Sequence, residues 1–320
     1  MRFFQHANYP FFEQRRKAYV VSGAIILAGI TAMTVNVFTI GSWLNYGVDF
    51  TGGTLVQVEF TQPTTAGDVR AAFGGTDAIA VTRFGEGNAF VIRLPLEEEA
   101  TVEEVSDRVE EQLAEAYGGD SFTVERTELV GPTVGEELQR KALLAILLSF
   151  ALTLVYLAIR FELRFGMAAV IATIHDIVLT LSFIAIFRIE MLLPTIAAIL
   201  TIVGYSLNDT IVVFDRIREN MHAKGARKLE QVTLIDRSLN ETLPRTIMTS
   251  LSTLGTLLAL LILGPVVLRD FSLIMFLGII LGTYSSLWIA SPALIEIQRR
   301  WGLGTEAERP KRARAEHATA

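Results

Sequence analysis

The 320-residue chain contains no cysteine, which excludes a disulfide framework and any thiolate metal site. Its four histidines, His6, His175, His222 and His317, include no pair at metal-ligand spacing, so neither a metal nor a redox cofactor is expected. A Gly-Lys-Ser/Thr phosphate loop is missing too, and no nucleophile-base constellation supports a conventional enzyme. Polar residues are the largest shortage. With 51% hydrophobic residues and a mean hydropathy of +0.43, too few remain to cover a soluble protein of this size. The chain reads as a membrane protein.

Six apolar runs are long enough to cross a hydrocarbon core at about 1.5 Å per helical residue: residues 18–38, 142–159, 166–187, 192–214, 247–264 and 271–295. The first lacks a small-x-small cleavage site and is followed by five more, so it is expected to stay attached. The net charge of −6 hides a split: residues 39–139 hold nineteen acidic and five basic side chains, against fifteen and twenty-three elsewhere. Arg15, Arg16 and Lys17 precede the first span, Arg160 and Arg164 separate the second and third, and residues 216–245 read as a basic loop. Arg299, Arg300, Lys311, Arg312 and Arg314 close the chain. The positive-inside rule then puts residues 1–17 and the basic tail 298–320 in the cytoplasm, and 39–139 outside. Next to a last span such a tail reads as a topology anchor or a ribosome or lipid contact, not a nucleic-acid site.

Within 39–139 the pattern predicts a small domain. Residues 54–60 alternate like a strand, 64–73 open with a Thr cap and read as a helix, and 78–84 and 89–94 are strands joined across Gly85-Glu-Gly-Asn88. Residues 101–117 carry Val102, Val105, Val109 and Leu113 at helical spacing, and 122–129 form a last strand. The order β-α-β-β-α-β is the ferredoxin-like arrangement. The fold class is therefore a polytopic α-helical membrane protein with six transmembrane helices and a small α+β ferredoxin-like periplasmic domain between helices 1 and 2. The run Glu97-Glu-Glu99 with Glu103, Glu104, Glu110 and Glu111 reads as the solvated face of the second domain helix.

Two glycine-bearing segments frame this domain. Gly47-Val-Asp-Phe-Thr-Gly-Gly-Thr54, with Asp49, Gly52 and Gly53, turns from the first span into the first strand, and Gly131-Pro-Thr-Val-Gly135, with Pro132, stops the last strand and restarts a helix. These segments, His175-Asp176, Gly204-Tyr-Ser-Leu-Asn-Asp209 through Asp215-Arg-Ile-Arg-Glu-Asn220, and Arg245-Thr-Ile-Met-Thr-Ser250 occur in order over nearly the whole chain. Together they resemble the SecF family of the bacterial SecDF protein-export complex, itself related to the resistance-nodulation-division transporters. The resemblance implies the bacterial cytoplasmic (inner) membrane, a SecD partner, association with a SecYEG channel, and proton-motive force used to complete translocation of a polypeptide. YajC- or YidC-type accessory proteins and membrane lipids are further implied contacts.

The intramembrane acids can be read without the family. A carboxylate inside a span costs about 2.5–3.5 kcal/mol on insertion scales and needs a partner or a task. In the fourth span Ala198, Ile202, Tyr205, Ser206 and Asp209 share one helical face, with Asn208 beside the acid. In the fifth span Arg245, Thr249, Ser252 and Thr256 follow at intervals of four, three and four, and in the third Thr173, Asp176 and Thr180 align, with His175 adjacent. Burial disfavours a charged carboxylate and a nearby guanidinium favours it, so an Asp beside an Arg that can approach or withdraw forms a proton switch. The resemblance implies this role for Asp209 and Arg245, with Asp176 a further candidate on the path. A static ion pair fixing two helices is the competing reading. At the level of the whole chain the alternatives are half of a small-molecule or lipid exporter, or a non-transporting assembly scaffold. Gly278-Ile-Ile-Leu-Gly282 in the last span permits close helix approach, to a partner or within the bundle.

Overall fold

The computed structural model describes residues 7–75, 79–84, 87–95, 101–223, 230–265 and 268–301. Glu97–Glu99, Gly85 and Glu86 of the expected turn, and Lys311, Arg312 and Arg314 lie outside the described residues. Along the chain come α1 (Phe11–Ile40), α2 (Val48–Thr51), β1 (Gly53–Phe60), α3 (Ala66–Ala72), β2 (Ala80–Phe84), β3 (Ala89–Leu94), α4 (Val102–Tyr117) and β4 (Phe122–Val130). The long helices α5 (Pro132–Arg160), α6 (Leu163–Ile186), α7 (Leu193–His222) and α8 (Gln231–Leu263) follow. A final rod runs through α9 (Arg269–Ser285), a π-helical turn (Ser286–Ala290) and α10 (Ser291–Trp301). Among the described residues six helices are long and apolar enough to cross a membrane.

The small domain takes the ferredoxin-like form. Its sheet has the order β2-β3-β1-β4, with every neighbouring pair antiparallel. Alternation along β1 turns Val56, Val58 and Phe60 inward, where they meet Val69 of α3, Phe90 and Ile92 of β3, and Val109 and Leu113 of α4. Both domain helices start on a capping box, Thr65 with Asp68 and Thr101 with Glu104, which satisfies two otherwise orphaned backbone donors at each start. The first cap is Thr65, one residue after the expected start.

In the bundle, α1 leans on α6 through a two-turn repeat. Ser22, Gly29 and Asn36 are buried at seven-residue intervals along it. A Cβ on Gly29 would fall onto Ser182, while Ser22 meets His175 (2.8 Å) and Asn36 donates to the Ala185 carbonyl (3.2 Å). The second close seam joins α7 to α9. Cβ atoms added at Gly278 and Gly282 would meet Ile202 and Ser206, so the glycine pair serves packing inside the bundle, where small residues let helices approach. Leu143, Leu144, Leu147, Leu148 and Leu152 leave α5 with an exposed apolar face.

The helices outrun the apolar runs. The stretch read as a basic loop over 216–245 is helical up to His222 and again from Gln231, so α7 and α8 project together as a hairpin. The reason is long-range pairing that hydropathy does not register. Glu241 of α8 takes bonds from Arg216 (2.7 Å), Asn220 (2.7 Å) and Arg237 (2.9 Å).

Candidate functional site

The segment that follows α1 joins the small domain to the bundle. After the single turn of α2, Gly52 and Gly53 take φ values of 74° and 144°, a backbone region that side chains disfavour, and the chain reverses into β1. The preceding residues pair with the connection between α6 and α7: the Gly47 amide donates to the Met191 carbonyl (2.9 Å) and the Met191 amide to Asn45 (2.7 Å). Asp49 Oδ2 accepts the Leu193 amide (2.9 Å) at the start of α7, next to Pro194, which has no amide hydrogen to satisfy. Gly135 of α5 packs against this turn, since a Cβ there would stand 2.9 Å from the Phe50 carbonyl, and Gln139 donates to the same carbonyl (2.7 Å). Gly131 caps α5 from extended backbone, with Pro132 in its first turn. The structure thus brings Asp49, Gly52, Gly53 and Gly135 to one junction.

An ion pair spans the same junction. Arg93 of β3 bonds Glu190, in the α6–α7 connection, at 2.9 Å, and both side chains are largely buried. Burial pushes the Glu190 carboxyl above the usual carboxylate range, opposed by Arg93 and reinforced by Asp270 and Asp49. The Arg93 guanidinium therefore acts on both Glu190 and Asp270 where domain and bundle meet.

Deeper in the bundle, Asp176 is 1% exposed and fully engaged. Its Oδ2 accepts the hydroxyls of Ser206 on α7 and Ser285 on α9 (2.7 Å for the latter), and its Oδ1 lies 3.0 Å from His175 Nδ1. Thr173 and Thr180 are buried beside it but bond to their own helix, at the Ala169 and Asp176 carbonyls. Ser206, which helical spacing groups with Asp209, is held by Asp176 instead.

Asp209 is 3% exposed, and its Oδ2 has no hydrogen-bond partner among the described residues. Arg245 acts on it electrostatically and the Ser250 hydroxyl approaches it, yet no ion pair joins Asp209 to Arg245 among the described residues. Arg245, Thr249, Ser252 and Thr256 all lie on the exposed side of α8, so this polar line does not turn toward the acid. The buried line is one residue out of phase: Thr246 and Ser250 are buried, Ser250 meets Thr283 (2.7 Å), and Thr253 accepts the Tyr205 hydroxyl (3.2 Å). Asn208 is exposed. Of the expected set, Tyr205, Ser206 and Asp209 turn into the bundle and Arg245 stands at its edge.

Comparison with known proteins places this geometry. The model described as protein export membrane protein SecD/SecF, C-terminal, matches residues 108–300, and the SecD/SecF GG motif matches 37–64. The chain belongs to the SecD/SecF family. It is 42% identical over 99% of its length to a protein translocase subunit SecF of Gemmatimonas aurantiaca, covering 96% of that protein. It is 40% identical to a protein translocase subunit SecDF of Thermus thermophilus, over 88% of this chain and 38% of the relative. A crystal structure of SecDF, a translocon-associated membrane protein from a Thermus species, superposes with a TM-score of 0.76 at 37% identity, covering 94% of this chain and 40% of that one. The chain therefore spans about two-fifths of the SecDF proteins, and nearly all of the SecF relative. Within this SecF-type chain the GG-motif match contains Asp49, Gly52 and Gly53, and the C-terminal match contains both buried acids.

Sequence reasoning missed Ser22, Tyr284 and Ser285 as partners of the His175-Asp176 pair, and the Arg93–Glu190 bond. Seven-residue spacing of Ser22, Gly29 and Asn36 was the available signal for the first.

Proposed function

We propose that this chain is the SecF-type subunit of a Sec accessory complex that uses the proton-motive force to promote protein export across the bacterial inner membrane. It works with a SecD-type partner beside a SecYEG-type channel, its small domain outside and both termini in the cytoplasm. The observation that carries the reading is Asp209: among the described residues it is a buried acid with one oxygen left without a partner, and a guanidinium nearby but not bonded to it. A static strut would pair the two. An Asp and an Arg held apart can instead meet and separate as a proton arrives and leaves.

In this mechanism Asp209 takes a proton from the domain side and Arg245 favours its release toward the cytoplasm, with Asp176 a second acid on the path. Asp209 rides on α7, whose first amide is bonded by Asp49, so a shift of α7 acts directly on the turn that feeds β1. One proton is worth about 2.3 kcal/mol per 100 mV, enough to bias a domain movement and too little to draw a long chain across in one stroke. The chemistry calls for repeated cycling without covalent catalysis, and polypeptide is the cargo.

The test is export of a reporter precursor into vesicles carrying the channel and the partner, with and without an imposed proton gradient. The Asp209→Asn complex should assemble and lose the gradient's acceleration. Acceleration at the wild-type level in that complex overturns the proposal.

A further inference from the structure

The buried network around His175 carries more than a stabilising contact. His175 Nε2 lies 2.8 Å from Ser22 Oγ on α1, Ser22 Oγ lies 3.0 Å from the Tyr284 hydroxyl on α9, and that hydroxyl donates to the Ala18 carbonyl at 2.7 Å. A carbonyl only accepts, so the single hydrogen of Tyr284 is committed to Ala18. Ser22 must then donate to Tyr284, and His175 must donate from Nε2 to Ser22. With Nε2 protonated, the contact between Nδ1 and Asp176 Oδ1 (3.0 Å) needs a hydrogen of its own. That hydrogen sits on nitrogen, giving imidazolium and carboxylate, or on oxygen, giving neutral imidazole and carboxylic acid. Either way the pair has zero net charge.

We infer that His175 and Asp176 are a buried one-proton site, with the imidazole held in its Nε2–H form by the Ser22–Tyr284 relay, and that His175 is the group with which Asp176 exchanges its proton. The relay ends on α9 directly before its turn of π-helix, a feature frequent at functional sites. Ser285, which bonds Asp176, comes immediately after Tyr284. The surrounding titratable groups are few. Among the described residues, His175 is the one charged or titratable side chain that acts on Asp176. Tyr284 on α9 faces the imidazole and acts on Tyr19 of α1, on which Arg15 of α1 and Glu296 of α10 also act. Asp209 lies one turn beyond Ser206 on α7. Proton exchange at this pair requires no counter-ion to follow, which suits a site inside a bilayer.

As a step of transport this rests on the proton-coupled reading above, but the protonation of the pair does not. The experiment is nitrogen-15 NMR of the full chain in nanodiscs, labelled at histidine, with His175→Gln to assign the signal. The expected spectrum shows Nε2 protonated and Nδ1 at a shift between bare and fully protonated nitrogen. Tyr284→Phe frees Ser22 to donate to Nε2, and should move the Nδ1 and Nε2 shifts toward the opposite tautomer. An imidazole whose Nε2 is bare, or whose shifts are indifferent to Tyr284→Phe, overturns the inference. Proton flux in the reconstituted complex separates the two readings. A shared proton with flux unaffected by His175→Gln overturns the transport step alone.

Discussion

The seam between α7 and α9 makes a quantitative claim that a pair of glycine substitutions can test. Gly278 and Gly204 both lie inside long helices, so alanine should gain about 1 kcal/mol of helix propensity at either site. Their surroundings differ. A Cβ on Gly204 meets nothing within 4 Å, whereas one on Gly278 falls onto the side chain of Ile202. Ile202 is 2% exposed and packs with Ile199, Leu257 and Ile279, so it has no room to yield. Overpacking of this kind costs about 1–3 kcal/mol. Gly204→Ala should therefore stabilise the chain by up to about 1 kcal/mol and Gly278→Ala should be neutral or destabilise it by up to about 2 kcal/mol, leaving about 1–3 kcal/mol between them. Equilibrium unfolding in mixed detergent micelles, followed by circular dichroism, measures the difference. Equal stabilisation by both alanines would refute the claim that this seam is closed by glycine.

Three further outcomes follow from the junction and the buried acids. Asp49→Ala removes the acceptor of the Leu193 amide and should cost about 1 kcal/mol in thermal unfolding, within the usual 0.5–2 of a lost cap, while Asp49→Asn keeps an acceptor and stays near wild type. Glu190 has its pKa raised in the folded protein, chiefly by burial, so its ionisation works against folding: that cost is absent below the unfolded value of about 4.3 and grows as pH rises through the folded one. The stability of wild type relative to Glu190→Gln should accordingly increase on acidification from neutral pH and level off below that value; a difference that runs the other way contradicts the assignment. Ser206→Ala deprives Asp176 of one hydroxyl and should lower stability by about 1–3 kcal/mol, the range for a buried polar group losing a partner, whereas Asn208→Ala, on an exposed position, should change it by less than about 0.5 kcal/mol.

Period and punctuation made the small domain legible from sequence. Period-two alternation in β1, period-3.6 spacing of Val105, Val109 and Leu113, and Thr caps are local signals. Each sits within a few residues of the element it defines. Helix ends were harder to read, because Arg216 and Glu241 stabilise the α7–α8 hairpin across twenty-four intervening residues and look, one at a time, like loop residues. The acids stood out as charges in apolar runs, but a helical face does not say which neighbour it meets. Ser206 shares a face with Asp209 and bonds to Asp176. Along α8 two polar lines of similar spacing run side by side, one through Arg245, Thr249 and Ser252 and the other through Thr246, Ser250 and Thr253. Only the packing of Tyr205 and Thr283 against the second decides between them.

The central claim is that Asp209 titrates during turnover, and proton flux tests it most directly. The chain, reconstituted into liposomes with its SecD-type partner and a pH-sensitive dye inside, should pass protons under an imposed gradient. Asp209→Asn should abolish that flux while the complex still assembles, and Asp209→Glu should restore part of it. Flux at the wild-type rate through an assembled Asp209→Asn complex would contradict the account.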